Sequence, residues 1–129
     1  MSDVSLAGRL LVATPLISDG TFDRTVVLLL GHSEEGALGV ILNRPTSTPA
    51  DGLVDGWGRR VAAPGVMFVG GPVEPRSVVG LATGEPVDLH LDPDDMADPP
   101  DEVRLYLGQS SWAPGQLEDE IGERAWWVV

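Results

Sequence analysis

The chain has 129 residues, 20 carboxylates against 8 arginines with no lysine, a net charge of -12, and no cysteine. That length suits one domain, and the missing cysteines exclude disulfides, thiolate nucleophiles and zinc–cysteine sites. The negative field works against binding a phosphate backbone, because only Arg59 and Arg60 are adjacent and the other arginines are scattered.

No apolar run approaches the ~20 residues of a membrane span, and "MSDVSLAG" lacks the basic-then-apolar pattern of a signal peptide, so a cytoplasmic protein without membrane contact is expected. Residues 85–129 hold 12 carboxylates with only Arg104 and Arg124, so the second half carries the more acidic surface.

In chain order, "GRLLVA" (8–13) and "RTVVLLLGH" (24–32) read as strands bounded by the loop signature "TPLISDGTFD". Thr25 to Leu30 does not alternate, which predicts a central strand buried on both faces. It passes through "SEEGA" into "LGVILN", a hairpin with a longer loop, and Gly39 on the return strand suggests a bulge or a close backbone approach. Residues 44–65 are rich in Pro, Gly and small polar residues, with a short helix expected near Asp51 to Trp57. "VMFVGG" (66–71) and "RSVVGLA" (76–82) read as strands that can pair as a hairpin. "DPDDMA" (92–97) is a helix start, with Asp92 as N-cap and Pro93 in the first turn, which Pro99 and Pro100 stop within two turns. "EVRLYLG" (102–108) alternates as a strand; "PGQLEDEIG" (114–122) is a short helix with Leu117 and Ile121 on one face; "AWWVV" begins a last strand on which Trp126 and Trp127 face opposite ways. Mixed strands and short helices make the class α+β.

Four stretches invite chemistry. His32 with Glu34 and Glu35 suggests a metal ligand or a base, but a histidine and glutamates at a strand end need not converge, and His90 lies in another segment. The acidic run 88–102 fails as a calcium loop, since Pro93 stands where the required glycine belongs and no glutamate holds the twelfth position. Gly108-Gln109-Ser110-Ser111 comes near the nucleophile elbow, but Trp112 replaces its final glycine. Gly70-Gly71 lacks the Lys-Ser/Thr of a phosphate loop, and Pro72 removes the next N–H, so close strand packing is the simpler role. No metal and no cofactor is expected.

"GRLLVATP", "FDRTVVLLLGH", "GALGVILNRP", "FVGGPV" and "SWAPGQLEDEIGERAW", in this order and spacing, closely resemble the AlgH/YqgE family of bacterial proteins over nearly the whole chain. The resemblance implies a bifurcated mixed β-sheet with a small five-stranded barrel-like part, surrounded by short helices, in a single domain spanning 1–129. It implies no reaction: the family is uncharacterised and carries the label of a transcriptional regulator of alginate synthesis. This chain departs from the family in having Gly108-Gln109-Ser110-Ser111-Trp112 where Gly-Tyr-Ala-Gly-Trp is usual, and in a shorter segment between Ala82 and Arg104. It also ends at Val129, where members commonly continue for some tens of residues, so a fragment or short variant lacking that extension is expected.

The reading that follows is a non-enzymatic binding or regulatory module for an unidentified protein or small molecule. Its alternatives are a hydrolase using Ser110 or Ser111 with His32, and a regulator acting on DNA directly or through a partner. Arg44, a planar charged fork beside the turn-forming Asn43 and Pro45, suits a carboxylate or phosphate. Together with Gly70, Gly71, Trp112 and Gln116, the other residues matching the family's recurring motifs, Asn43 and Arg44 make up the candidate ligand-binding set.

Overall fold

The computed structural model describes residues 5–129. Strands β1 (Leu10–Ala13), β2 (Val26–Ser33) and β3 (Gly36–Ile41) form an antiparallel meander, with β2 in its middle. Thr25, Val27, Leu28 and Leu29 are buried, as the unbroken apolar run predicts for a central strand. The β2–β3 turn is tighter than the sequence suggests: Ser33 pairs with Gly36, leaving only Glu34 and Glu35 in the loop. Gly36 at φ +131° makes that turn possible. Opposite Gly39 the register slips between Leu29 and Gly31, and a Cβ on Gly39 would lie 2.8 Å from the Val27 side chain, so both the bulge and the close approach are present.

After β4 (Pro45–Pro49), the segment expected to hold a helix contains turns and one 3₁₀ turn at Gly58–Arg60. Gly52 and Gly56 weaken the local propensity there, and Trp57 anchors the segment instead, fully buried with its indole N–H donated to the Leu91 carbonyl at 3.0 Å. Strands β5 (Val66–Val69), β6 (Val73–Ala82) and β7 (Glu85–Val87) follow, then a 3₁₀ turn at Pro93–Asp95 capped by the Asp92 carboxylate, which accepts from the Asp94 N–H. β5 and β6 do not form a hairpin. Strand β8 (Arg104–Trp112) lies between them, parallel to β5 and antiparallel to β6. Helix α1 (Gln116–Gly122) and edge strand β9 (Trp126–Val128), paired with β1, complete the chain.

The bifurcation occurs within β8. Its first half pairs with β5 and β6; beyond Gly108, at φ +75°, its second half pairs with β3 through Ser110–Trp112. Three cores result. One face of β1–β3 packs Leu11, Val27, Leu29 and Ile41 against Trp112, Leu117 and Trp126. The other face presents Leu28 and Val40 to Phe68, Leu81 and Tyr106, so the sheet curls on itself as a half-barrel. The third, with Trp57, Met67, Val103 and Leu105, lies under the 50–61 and 88–96 segments. Among the described residues there is one seven-residue α-helix and two 3₁₀ turns, so the picture of a sheet surrounded by short helices is corrected: loops cover most of it. The reason is local, since proline and glycine interrupt every other candidate helix within two turns.

Gly71 and Gly84 both have positive φ, but only at Gly71 would a Cβ strike backbone, at Gln109; at Gly84 it would meet open space. Gly84→Ala should therefore cost about 1 kcal/mol from backbone strain alone, whereas Gly71→Ala should cost at least ~2 kcal/mol more. Urea denaturation of the two variants measures the difference.

Candidate functional site

Helix α1 begins where Pro114 and Gly115 break β8 from the turn that follows it. Gly115 takes φ +77°, and the Gln116 side-chain oxygen reaches back to accept the Ala113 N–H at 2.9 Å, closing the turn ahead of the helix. Leu117 is fully buried and Ile121 packs beside it, so α1 has one face fixed in the first core. That placement directs Glu120 to a gap between the indoles of Trp112 and Trp126. Its Oε1 accepts both indole N–H groups, at 3.0 and 2.9 Å, and its Oε2 accepts from the Gln116 amide at 2.9 Å. Phe22 completes an aromatic triangle, with ring centroids 6.2 Å from Trp112 and 5.9 Å from Trp126, while the two indoles stand 6.0 Å apart edge to face.

The loop between β1 and β2 faces this arrangement. Thr14 ties it to the far end of α1, donating its hydroxyl to the Arg124 carbonyl at 2.7 Å and its N–H to the Ala125 carbonyl at 3.0 Å. Asp19 shapes the tip, its Oδ1 accepting the N–H groups of Thr21 and Phe22 at 3.0 and 2.7 Å. Between loop and helix lies an open cleft of about 500 Å³, with Phe22, Trp112 and Trp126 on its apolar side and Ser18, Asp19, Ser111, Gln116 and Glu120 as its polar residues. A carboxylate offers roughly four acceptor sites. Three of Glu120's are used, leaving acceptor capacity on Oε2.

Of the six sequence-nominated residues, Trp112 and Gln116 meet in this cleft and the other four lie outside it. Asn43 joins two strand ends, its Oδ1 accepting the Val26 N–H at 3.0 Å and its amide donating to the Arg24 carbonyl at 2.9 Å. Arg44 donates to the Asp23 carbonyl and pairs with its carboxylate at 3.5 Å. Gly70 and Gly71 sit at the fork of the sheet, where Ser110, fully buried, donates its hydroxyl to the Gly70 carbonyl at 3.1 Å. His32 accepts the Leu6 N–H at Nδ1 (2.9 Å), so Nε2 carries the hydrogen and donates to Glu118 at 2.8 Å. Glu34 and Glu35 beside it are exposed. Among the described residues no cluster of three His, Asp or Glu is arranged to hold a metal ion. The sequence did not single out Glu120, Phe22 or Asp19. Glu120 stands four residues after Gln116 and so shares its helix face, but it is one of three consecutive acids with nothing local to distinguish it.

Residues 10–129 match the family model described as AlgH-like. A UPF0301 protein of Streptomyces avermitilis is 45% identical over 150 aligned residues, covering 100% of this chain and 78% of the relative; one from Mycobacterium ulcerans is 38% identical, covering 95% and 70%. Two solved structures share the fold. A crystal structure of a Corynebacterium diphtheriae protein superposes with a TM-score of 0.85 at 31% identity, covering 95% of this chain and 74% of that one. The solution structure of the AlgH protein from Pseudomonas aeruginosa gives 0.70 at 27% identity, covering 100% and 79%. The curled sheet is thus an architecture shared with proteins of two bacteria. The chain belongs to the AlgH-like family, UPF0301.

Removing the acceptor at position 120 strands two largely buried indole N–H groups. Glu120→Ala should cost about 2–6 kcal/mol, at roughly 1–3 per orphaned donor, and should shift the tryptophan emission; Glu120→Gln, which keeps one acceptor, should cost less. The hydrogen bond from His32 holds the Glu118 carboxyl below the usual range. A carboxyl depressed by folding stabilises the native state above its unfolded pKa, and that contribution is lost as pH falls through the lower folded value. Because Glu118 is half exposed, the effect is small. Thermal melts of wild type and Glu118→Gln should therefore differ at neutral pH and converge as pH falls below the carboxylate range.

Proposed function

We propose that this chain is a binding module without a reaction of its own, and that its site is the cleft between the 14–22 loop and α1. The ligand is a cationic N–H donor group, an ammonium or guanidinium, on a small molecule or on a protein partner, with an apolar body lying toward Phe22, Trp112 and Trp126. The observation that carries this reading is the fixed Glu120 carboxylate, held by three N–H donors with acceptor capacity to spare at the mouth of an aromatic-sided cleft. A carboxylate so restrained forms a charge-assisted bond without first losing side-chain freedom. Asp19 supplies a second negative group on the opposite wall, and the chain's charge of -12 favours approach of a cation.

The geometry supports this reading over the hydrolase one. Ser110 is sealed in the sheet with its hydroxyl already donated, both nitrogens of His32 are engaged, and the residues around the cleft include Ser111 but neither histidine. Four of the eight arginines, Arg9, Arg44, Arg60 and Arg104, are each committed to a backbone carbonyl, and the net charge of -12 opposes a phosphate backbone.

Titration of ¹⁵N-labelled protein with phenethylammonium tests the proposal, with phenethyl alcohol as the neutral control. Saturable shifts of the Trp112 and Trp126 indole N–H signals and the Gln116 amide are expected with the cation, and Glu120→Gln should weaken its binding roughly tenfold. Equal response to the alcohol, or indifference to Glu120→Gln, would overturn it.

A further inference from the structure

The half-barrel has an open mouth on the sheet face opposite the cleft. There a groove of about 630 Å³ runs between Leu10, Leu28 and Leu42 on one wall and Leu81, Arg104 and Tyr106 on the other. Leu10 and Leu42 are only partly buried, so the groove carries a continuous aliphatic lining into the second core. Mouths of β-barrels are recurrent ligand sites, and a volume in this range suits a small organic molecule.

Arg104 supplies the polar end. Its guanidinium lies 4.7 Å over the Phe68 ring, and one Nη donates to the Ala63 carbonyl at 2.8 Å. Its Nε is buried with no hydrogen-bond partner among the described residues. In a chain with 20 carboxylates, none of those described forms an ion pair with Arg104. Arg104 borders the groove with its charge offset by no carboxylate, so an acidic group entering from outside meets an uncompensated cation there. Tyr106, two residues along β8 and so on the same face, adds a second donor. Burial pushes its phenol up against the opposing pull of Arg104, which keeps the O–H on at neutral pH. Glu102 also borders the groove and is exposed. Its charge opposes a dianion more than a monoanion, which selects a carboxylate over a phosphate monoester.

We propose that the half-barrel mouth binds an aliphatic monocarboxylate, its head group on Arg104 and Tyr106 and its chain along Leu10, Leu28, Leu42 and Leu81. This site is independent of the Glu120 cleft, which lies on the other face of β2 and β3.

Octanoate is the probe, titrated into the full chain labelled with ¹⁵N and in its leucine methyls at neutral pH. The expected result is a saturable shift of the Arg104 Nε–H signal and of the methyls of the four leucines, with the Trp112 and Trp126 indole signals unmoved. Octylammonium should produce none of this, octanol and octyl phosphate should bind more weakly than octanoate, and Arg104→Lys should weaken octanoate binding roughly tenfold because it lacks the planar donor set. The wild-type mapping stands whether or not that variant folds. Absence of a saturable shift with octanoate at millimolar concentration, equal binding of octanol, tighter binding of octyl phosphate, or unchanged affinity in a folded Arg104→Lys would each overturn the proposal. Movement of the indole signals instead would assign octanoate to the cleft and equally overturn it.

Discussion

Everything in this fold depends on one close backbone crossing, where Gly70 and Gly71 at the end of β5 meet Gly108 and Gln109 in the middle of β8. A Cβ on Gly70 would strike the Gly108 carbonyl, and one on Gly108 would strike the Gly71 carbonyl. With three glycines the segments approach closely enough for Gly70 to donate to Leu107 at 2.7 Å while its carbonyl accepts from Ile41 at 2.8 Å and from Ser110 at 3.1 Å. At this point β8 exchanges β5 for β3 as its neighbour. The left-handed Gly108 re-aims the strand, so that Tyr106 faces the half-barrel while Trp112 faces the core under α1.

Because the crossing assigns the two halves of β8 to different cores, it also separates the two clefts. Trp112, beyond the fork, sets the floor on which Glu120 is held; Arg104 and Tyr106, before it, form one lip of the half-barrel. The two polar centres carry opposite charge and are built differently. Glu120 is over-determined by three donors from β8, α1 and β9, whereas Arg104 is held by one carbonyl and one aromatic ring with a donor left over. The first is held rigidly, and the second keeps a charge that no described carboxylate offsets.

The elements with strong local signals were legible in the sequence. The unbroken run from Thr25 to Leu30 marked the central strand, Leu117 and Ile121 marked the helix, and the pair Trp126-Trp127 splits into one buried and one exposed ring as strand alternation requires. Pairing was harder to read. "VMFVGGPVEPRSVVGLA" has the pattern of a hairpin, yet β8, some twenty residues further on, inserts between its two arms. No local periodicity records such a non-local choice, and Gly70-Gly71 showed only that some backbone would come near. The site was half legible for the same reason. Trp112 and Gln116 entered the candidate set through one motif of the resembled family and both line the cleft, but Phe22 reaches it through tertiary packing, and Glu120 differs from Glu118 and Asp119 only in what the helix faces. The helices expected around the sheet failed on length, since a turn or two between prolines has too few hydrogen bonds to offset helix nucleation.

The distribution of charge follows from how the arginines are spent. Arg9 clips the Val129 carbonyl at 3.0 Å, Arg60 the Pro100 carbonyl at 2.8 Å, and Arg44 and Arg104 the carbonyls of Asp23 and Ala63. Each bond joins segments distant in sequence. An arginine bound to a neutral carbonyl keeps its full positive charge but loses reach, while most carboxylates stay exposed on loops and turns. With 20 carboxylates against 8 arginines the exterior projects a net negative field, although Arg24, Arg59, Arg76 and Arg124 remain exposed on it. Such a surface favours cationic partners at long range. An anion is best held where a strut keeps an unused donor beside an apolar wall that shields it from that field, as Arg104 does at the half-barrel mouth.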